Sequence, residues 1–291
     1  TILDRPVDGN PRRLLAASAQ VYTPLAMPRL SSLLAAAVLA MAGCTGGVVT
    51  HAVPVTTPRP AMLSGDLYRP AGTGPFPAVI LLHGCGGPAP NGSAWAVWLQ
   101  AEGYAALTLD SFAGRHLTRL CGDASALTGG ARAEDVFAAA ATLAKLPFID
   151  RERIAAMGFS HGGWTVLWAS RYQSRHDDVK VRALVAFYPA CGDVPSLATT
   201  APLLMLLGGQ DDWTPAEPCR LLAQDARRQG RVVVDVTYPD ARHAFDASNI
   251  LRRTYIPEAR RGRGATIEYN SAAHADSEKQ LRRFLHQYLR S

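Results

Sequence analysis

The sequence predicts one α/β domain, a mostly parallel sheet with helices on both faces. Three observations predict it. Apolar runs of strand length alternate with helix-length segments through most of the 291 residues. Glycine-rich turns, an acid and a histidine each follow the end of such a run, where parallel α/β sheets place their sites. The stretch after Cys44 has the length of a single domain with a substantial core. Hydrophobic residues make up 48% and are spread too evenly for an integral membrane protein.

From the front, residues 1–26 carry no methionine and no periodicity, and read as an extension upstream of a start at Met27. Residues 27–43 hold one basic residue, a short apolar run and small residues before Cys44, the grammar of an export signal too short to span a membrane. Leu39–Cys44 resembles a bacterial lipobox, which makes Cys44 a lipidation site and places the protein in a bacterial cell envelope. The alternatives are an ordinary secretory signal cleaved nearby or a buried apolar helix. Residues 44–60, rich in Val, Thr and Pro, read as a tether to a domain over 61–291.

Within that domain, residues 66–69 suggest an antiparallel edge ahead of the first core strand at 77–82. That strand runs into His83-Gly84-Cys85-Gly86-Gly87, a turn able to point the Cys85 N–H at an oxyanion. His83 reads as structural, packed beneath the loop. A helix is expected over 91–102, a strand over 103–112, and a helix over 131–145. Arg115, after the strand end, reads as a solvated charge or a holder of a substrate carboxylate.

The next strand, 154–157, leads into Gly158-Phe159-Ser160-His161-Gly162-Gly163 and a helix over 161–170. Small residues two before and two after Ser160 permit a sharp strand-to-helix turn that exposes the hydroxyl and leaves the His161 N–H at a helix start. A bare G-x-S-x-G also arises as a plain glycine-rich turn, so the partners decide. Strand 202–207 ends in Gly208-Gly209-Gln210-Asp211-Asp212, before a helix over 215–229. Strand 231–238 is followed by His243-Ala244-Phe245, and a last helix is expected over 275–289. Ser160 as nucleophile, His243 as base and Asp211 as its orienter complete a triad, with Asp212 the fallback acid. The His161 side chain reads as solvent-facing or capping the pocket. Trp164, Trp213, Tyr188 and Phe112 flank the site, as pocket lining or as core.

These segments resemble the dienelactone hydrolase family of the α/β-hydrolase superfamily, over about residues 60–290. The order Ser, Asp, His is that superfamily's order. The resemblance implies the α/β-hydrolase fold, with Ser160, Asp211 and His243 as catalytic residues and the Cys85 and His161 N–H groups as the oxyanion hole. It implies hydrolysis of a small-molecule ester. Dienelactone hydrolases proper carry cysteine at the elbow, and Ser160 departs from that pattern. A peptidase or thioesterase on the same scaffold, or a binding protein that kept the fold, are the rival functions.

Four cysteines remain beside Cys44, an even set that suits an exported protein with disulfides. The resemblance and the chain layout favour Cys85–Cys121 and Cys191–Cys219 over the other pairings; buried free thiols are the alternative. No C-x-x-C spacing suggests zinc, no Walker or dinucleotide fingerprint suggests a nucleotide, and the expected chemistry needs neither metal nor other cofactor. The net charge is +6, with arginines concentrated over 252–263. That stretch reads as a solvated loop or as a contact for anionic lipid, and no fold or motif for nucleic acid is present.

Overall fold

The computed structural model describes residues 47–57 and 61–290. The extension 1–26, the signal 27–43 and Cys44 lie outside the described residues. The chain runs β1 (Val48–Thr56), β2 (Met62–Arg69), β3 (Phe76–Leu82), α1 (Pro90–Ala101), β4 (Ala105–Asp110), α2 (Gly129–Leu143), β5 (Ile149–Phe159) and α3 (His161–Tyr172). It continues through β6 (Ala183–Phe187), β7 (Leu203–Gly208), α4 (Ala216–Arg228), β8 (Val233–Tyr238), β9 (Thr254–Ile256), α5 (Ala259–Gly262), β10 (Ala265–Ile267) and α6 (Ser271–Leu289).

Eight strands form one sheet in the order β1-β2-β4-β3-β5-β6-β7-β8. β1, β2 and β4 pair antiparallel, and every pairing from β4 through β3 to β8 is parallel. A separate ribbon pairs β9 with β10. Among the described residues no helix is long and apolar enough to cross a membrane.

The near-continuous apolar strands reflect burial on both faces. In β3, Ala78, Ile80 and Leu82 enter a core beneath α2, α3 and α4, while Val79 and Leu81 enter a second core beneath α1 and α6. Alternate residues point to opposite faces, so one strand stitches both layers together. Each fully buried aliphatic side chain contributes about 2 kcal/mol. The amphipathic stripe of α4, Cys219, Leu222, Ala223 and Ala226, faces that first core.

The stretch expected as a tether is corrected over 48–56, where β1 joins the sheet as its edge strand. Val55 is fully buried, and Pro54, which has no N–H to give, sits on the edge where none is demanded. The antiparallel segment expected at 66–69 lies in β2, one strand inside the edge.

Candidate active site

β5 ends at Phe159 and α3 begins at His161, leaving Ser160 to make the whole turn. Ser160 adopts φ 53° and ψ −112°, a strained backbone for a residue with a side chain. Two close approaches explain the flanking glycines. A Cβ on Gly158 would lie 2.1 Å from the Gly162 carbonyl oxygen, and one on Gly162 would lie 2.1 Å from the Leu82 carbonyl oxygen. The Ser160 N–H donates to the Phe187 carbonyl at 2.9 Å, fixing the turn against β6.

Asp211 and His243 follow β7 and β8, and the parallel register brings both to the serine's end of the sheet. His243 Nε2 lies 2.8 Å from Ser160 Oγ, and His243 Nδ1 lies 2.7 Å from Asp211 Oδ2. The carboxylate is itself held: its Oδ1 accepts the N–H groups of Trp213 and Thr214, each at 2.8 Å. All three residues of this chain are nearly buried. Asp212, the fallback acid, instead accepts the Thr266 N–H at 2.8 Å.

The backbone N–H of His161 opens α3, and that of Cys85 lies in the turn after β3. Among the described residues neither finds an acceptor. The Cys85 turn is secured twice, by the disulfide to Cys121 and by the Leu120 N–H donating to the Cys85 carbonyl at 2.7 Å. A second disulfide, Cys191–Cys219, ties the loop after β6 to the first turns of α4.

His83 is buried under its loop as expected. Its Nδ1 donates to the Gly84 carbonyl at 2.8 Å, its Nε2 accepts the Ser111 N–H at 3.2 Å, and its ring meets Phe112 edge-on. Burial, then the Arg132 cation, hold its pKa well below the usual histidine value.

One side-chain reading is corrected, that of Arg115, and two left open, those of His161 and Phe112, are decided. His161 does not face solvent: it is 5% exposed, its Nε2 donates to the Leu127 carbonyl at 2.8 Å, and Arg132 donates to its Nδ1. Burial and the same arginine bring its pKa down to about 3. Arg115 is neither solvated nor free for a substrate; it clasps the fully buried Asp135 through two bonds of 2.7 and 2.9 Å. Phe112 packs with Leu120 and Leu127 as a small core rather than as pocket wall. Trp164 and Trp213 do border the cavity at Ser160, and Tyr188 is buried against His243. In the basic stretch, Arg253 pairs with Glu268, while Arg260 and Arg261 reach the rim of that cavity.

Four contributors escaped the sequence. Thr214 Oγ1 lies 2.9 Å from the Tyr188 carbonyl and 3.0 Å from Asp211 Oδ2. Asp246, three residues past His243, accepts from Tyr188 Oη at 2.5 Å, Trp95 Nε1 at 2.9 Å and Asn91 Nδ2 at 3.1 Å. Burial, reinforced by Asp246, keeps the Tyr188 hydroxyl protonated far above its usual range. Arg132 and Asp135 sit wholly buried in α2 beneath the elbow.

A parallel sheet with a serine elbow, and an acid and a histidine beyond later strands, define an α/β-hydrolase. Over residues 63–289 the chain matches the model of the dienelactone hydrolase family, and it belongs to that family. Among solved structures, it resembles a dienelactone hydrolase-like promiscuous phosphotriesterase, P91, from metagenomic libraries, at TM-score 0.65 and 20% identity over 84% of this chain and 99% of that one. A dienelactone hydrolase from Anabaena variabilis aligns at TM-score 0.57 and 21% identity, over 84% and 99%. An esterase from the archaeon Pyrobaculum calidifontis aligns at TM-score 0.60 and 17% identity, over 82% and 85%. At such identities the likeness is one of fold. No curated protein matches the chain.

Proposed function

We propose that this hydrolase cleaves carboxylic esters through a Ser160–His243–Asp211 triad and an acyl-enzyme. The observation that carries this is the unbroken path of short contacts from Asp211 through His243 to Ser160, ending at an elbow near two N–H groups that find no acceptor among the described residues.

In this mechanism Ser160 Oγ bonds to the ester carbonyl carbon while its proton passes to His243 Nε2. The oxyanion forms where the Cys85 and His161 N–H groups point, at no reorganisation cost because both are already fixed. The carbon–alcohol bond then breaks, and His243 returns the proton to the departing alkoxide. Asp211 holds the imidazole with Nδ1–H toward itself and stabilises the imidazolium. Water, deprotonated by the same histidine, adds to the acyl-enzyme, and the acid leaves as Ser160 regains its proton. The small-molecule substrate follows from family membership; the ester bond, the triad and the acyl-enzyme are the parts proposed.

The test is labelling of the purified protein by a fluorophosphonate with peptide mapping, alongside Ser160→Ala. Labelling at Ser160 and a kcat drop of about 10³-fold or more in the variant are expected. A folded protein that takes no label overturns the scheme and favours a binding role, while a variant with near-normal turnover overturns Ser160 as the nucleophile.

Export belongs to the same reading, with Cys44 lipidated at the membrane and the domain in an oxidising compartment. The two disulfides support it. Intact mass of membrane-extracted protein tests it, since an unmodified N-terminus before Cys44 rules the anchor out.

A further inference from the structure

Ser160 stands between two cavities rather than at the bottom of one. The larger, about 550 Å³, is bordered by Trp164 and Trp213 beside Ser160. The smaller, about 310 Å³, is walled by Ala244, Ile250, Ile256 and Ile267, with Tyr188 and Trp213 beside His243. His243 borders the smaller cavity and not the larger, while Trp164 borders the larger and not the smaller. Cys85 borders both.

In acyl transfer to a serine, the base that took the proton hands it to the leaving group. The departing alcohol must therefore lie on the side where the imidazole is in reach. From this we infer, resting on the serine-esterase reading above, that the alcohol occupies the smaller cavity beside His243 and the acyl group the larger cavity beside Trp164. The substrate class that fits is an ester of a compact alcohol with a larger, aromatic-bearing acid.

The aromatic side is built, not incidental. Trp164 Nε1 donates to Asp193 at 2.7 Å, and the indole rests on Gly129, where a Cβ would come within 2.5 Å of the ring. A neighbouring cavity of about 460 Å³ shares Thr128, Trp164 and Asp193, and continues to Trp168 and Tyr172. Positions 164, 168 and 172 fall four residues apart on α3, so one helix face carries an aromatic stripe leading away from the nucleophile. Rigid indole faces give a flat ring contact area at little entropic cost. The alcohol side shares Trp213 and adds Phe159 and Tyr188 to its aliphatic walls, but its volume lies at the low end for ligand sites, so size sets its limit.

Two esters of similar intrinsic reactivity and reversed polarity separate the sides: methyl phenylpropanoate, with the ring in the acid, and phenylpropyl acetate, with the ring in the alcohol. The full chain should favour the first by about tenfold or more in kcat/KM, and Trp164→Ala should collapse that ratio toward one. Ile256→Trp, which narrows the alcohol side, should widen the ratio by depressing phenylpropyl acetate most. A ratio of one or below in the parent protein overturns the assignment, as does a ratio insensitive to Trp164→Ala in a variant that melts normally. Failure to hydrolyse either ester while Ser160 takes the fluorophosphonate overturns the substrate class alone. Failure to hydrolyse or label overturns the esterase reading with it.

Discussion

Arg132 Nη1 donates to His161 Nδ1 at 3.0 Å and to the His83 carbonyl at 2.8 Å, so one buried nitrogen joins the two segments that carry the candidate oxyanion donors. His161 supplies one donor from its own backbone, and Cys85 follows His83 by two residues. The guanidinium is wholly buried, stacks on Phe112 at 5.4 Å, and leaves Nε and Nη2 without partners among the described residues. Burial lowers its pKa to about 10 against the opposing effect of Asp135, so it stays cationic at neutral pH.

Arg132→Lys keeps a charge but replaces the planar fork with a single flexible ammonium. If the arginine aligns the two N–H groups, kcat falls about 10- to 100-fold while KM changes less than about threefold, because a small misplacement of fixed donors acts on the transition state. Steady-state kinetics below the melting temperatures of both proteins check this. A loss appearing wholly in KM, or only in stability, would mean that Arg132 merely fills the core.

Acid should weaken the fold through His161 and His83. Both are held neutral by burial first and Arg132 second, with His161 brought to about 3. In the unfolded chain each titrates near ~6.5. As pH falls below that value the unfolded state gains a proton at each position and the folded state does not, so unfolding becomes easier. The stability they support is fully present above the unfolded pKa and is lost on acidification, by about 1 kcal/mol per pH unit per histidine. Urea unfolding at pH 7 and pH 5 should show the drop, and His161→Gln should flatten the slope even though it lowers stability overall. An equal slope in parent and variant refutes the assignment.

Most strands that lead to the candidate site, four helices to within a few residues and the segments that bring Ser160, Asp211 and His243 together were legible because each is a local pattern: an apolar run, a glycine turn, then the polar residue; β6 (Ala183–Phe187) was not foreseen. What escaped legibility depends on partners far along the chain. Asp246 is defined by Trp95, 151 residues away, and nothing near it in sequence announces a buried acceptor. Arg132 lies within a helix the sequence marks only by its apolar pattern, and the burial of an arginine depends on Asp135 and Phe112 meeting it in three dimensions. Arg115 was misread for the same reason. β1 was misread because Val, Thr and Pro suit both an extended linker and an edge strand, and only pairing with β2 decides between them.

Asp246→Ala leaves the Trp95 indole N–H and the Tyr188 hydroxyl buried without an acceptor. The expected cost is about 2–5 kcal/mol, read by chemical unfolding. Because Tyr188 packs on the His243 ring at 4.7 Å, kcat should fall beyond what partial unfolding explains. Asp246→Asn, which keeps one acceptor oxygen, should recover part of both. Unchanged stability in the alanine variant would remove Asp246 from the support of the site.

The two disulfides should separate in what they protect. Cys85–Cys121 borders the Ser160 cavities and holds the turn carrying one proposed donor, whereas Cys191–Cys219 braces the loop after β6 against α4. The closed loops span 36 and 28 residues, similar enough that either paired Cys→Ser variant should lose about 2–4 kcal/mol. Turnover should divide them: Cys85→Ser/Cys121→Ser should lower kcat about tenfold or more through the loosened Cys85 N–H. Cys191→Ser/Cys219→Ser should stay within about threefold of the parent, since neither donor depends on it. Kinetics and urea unfolding of both double variants check this together. Equal kcat losses would show that the first bridge acts on the fold as a whole and not on the oxyanion turn.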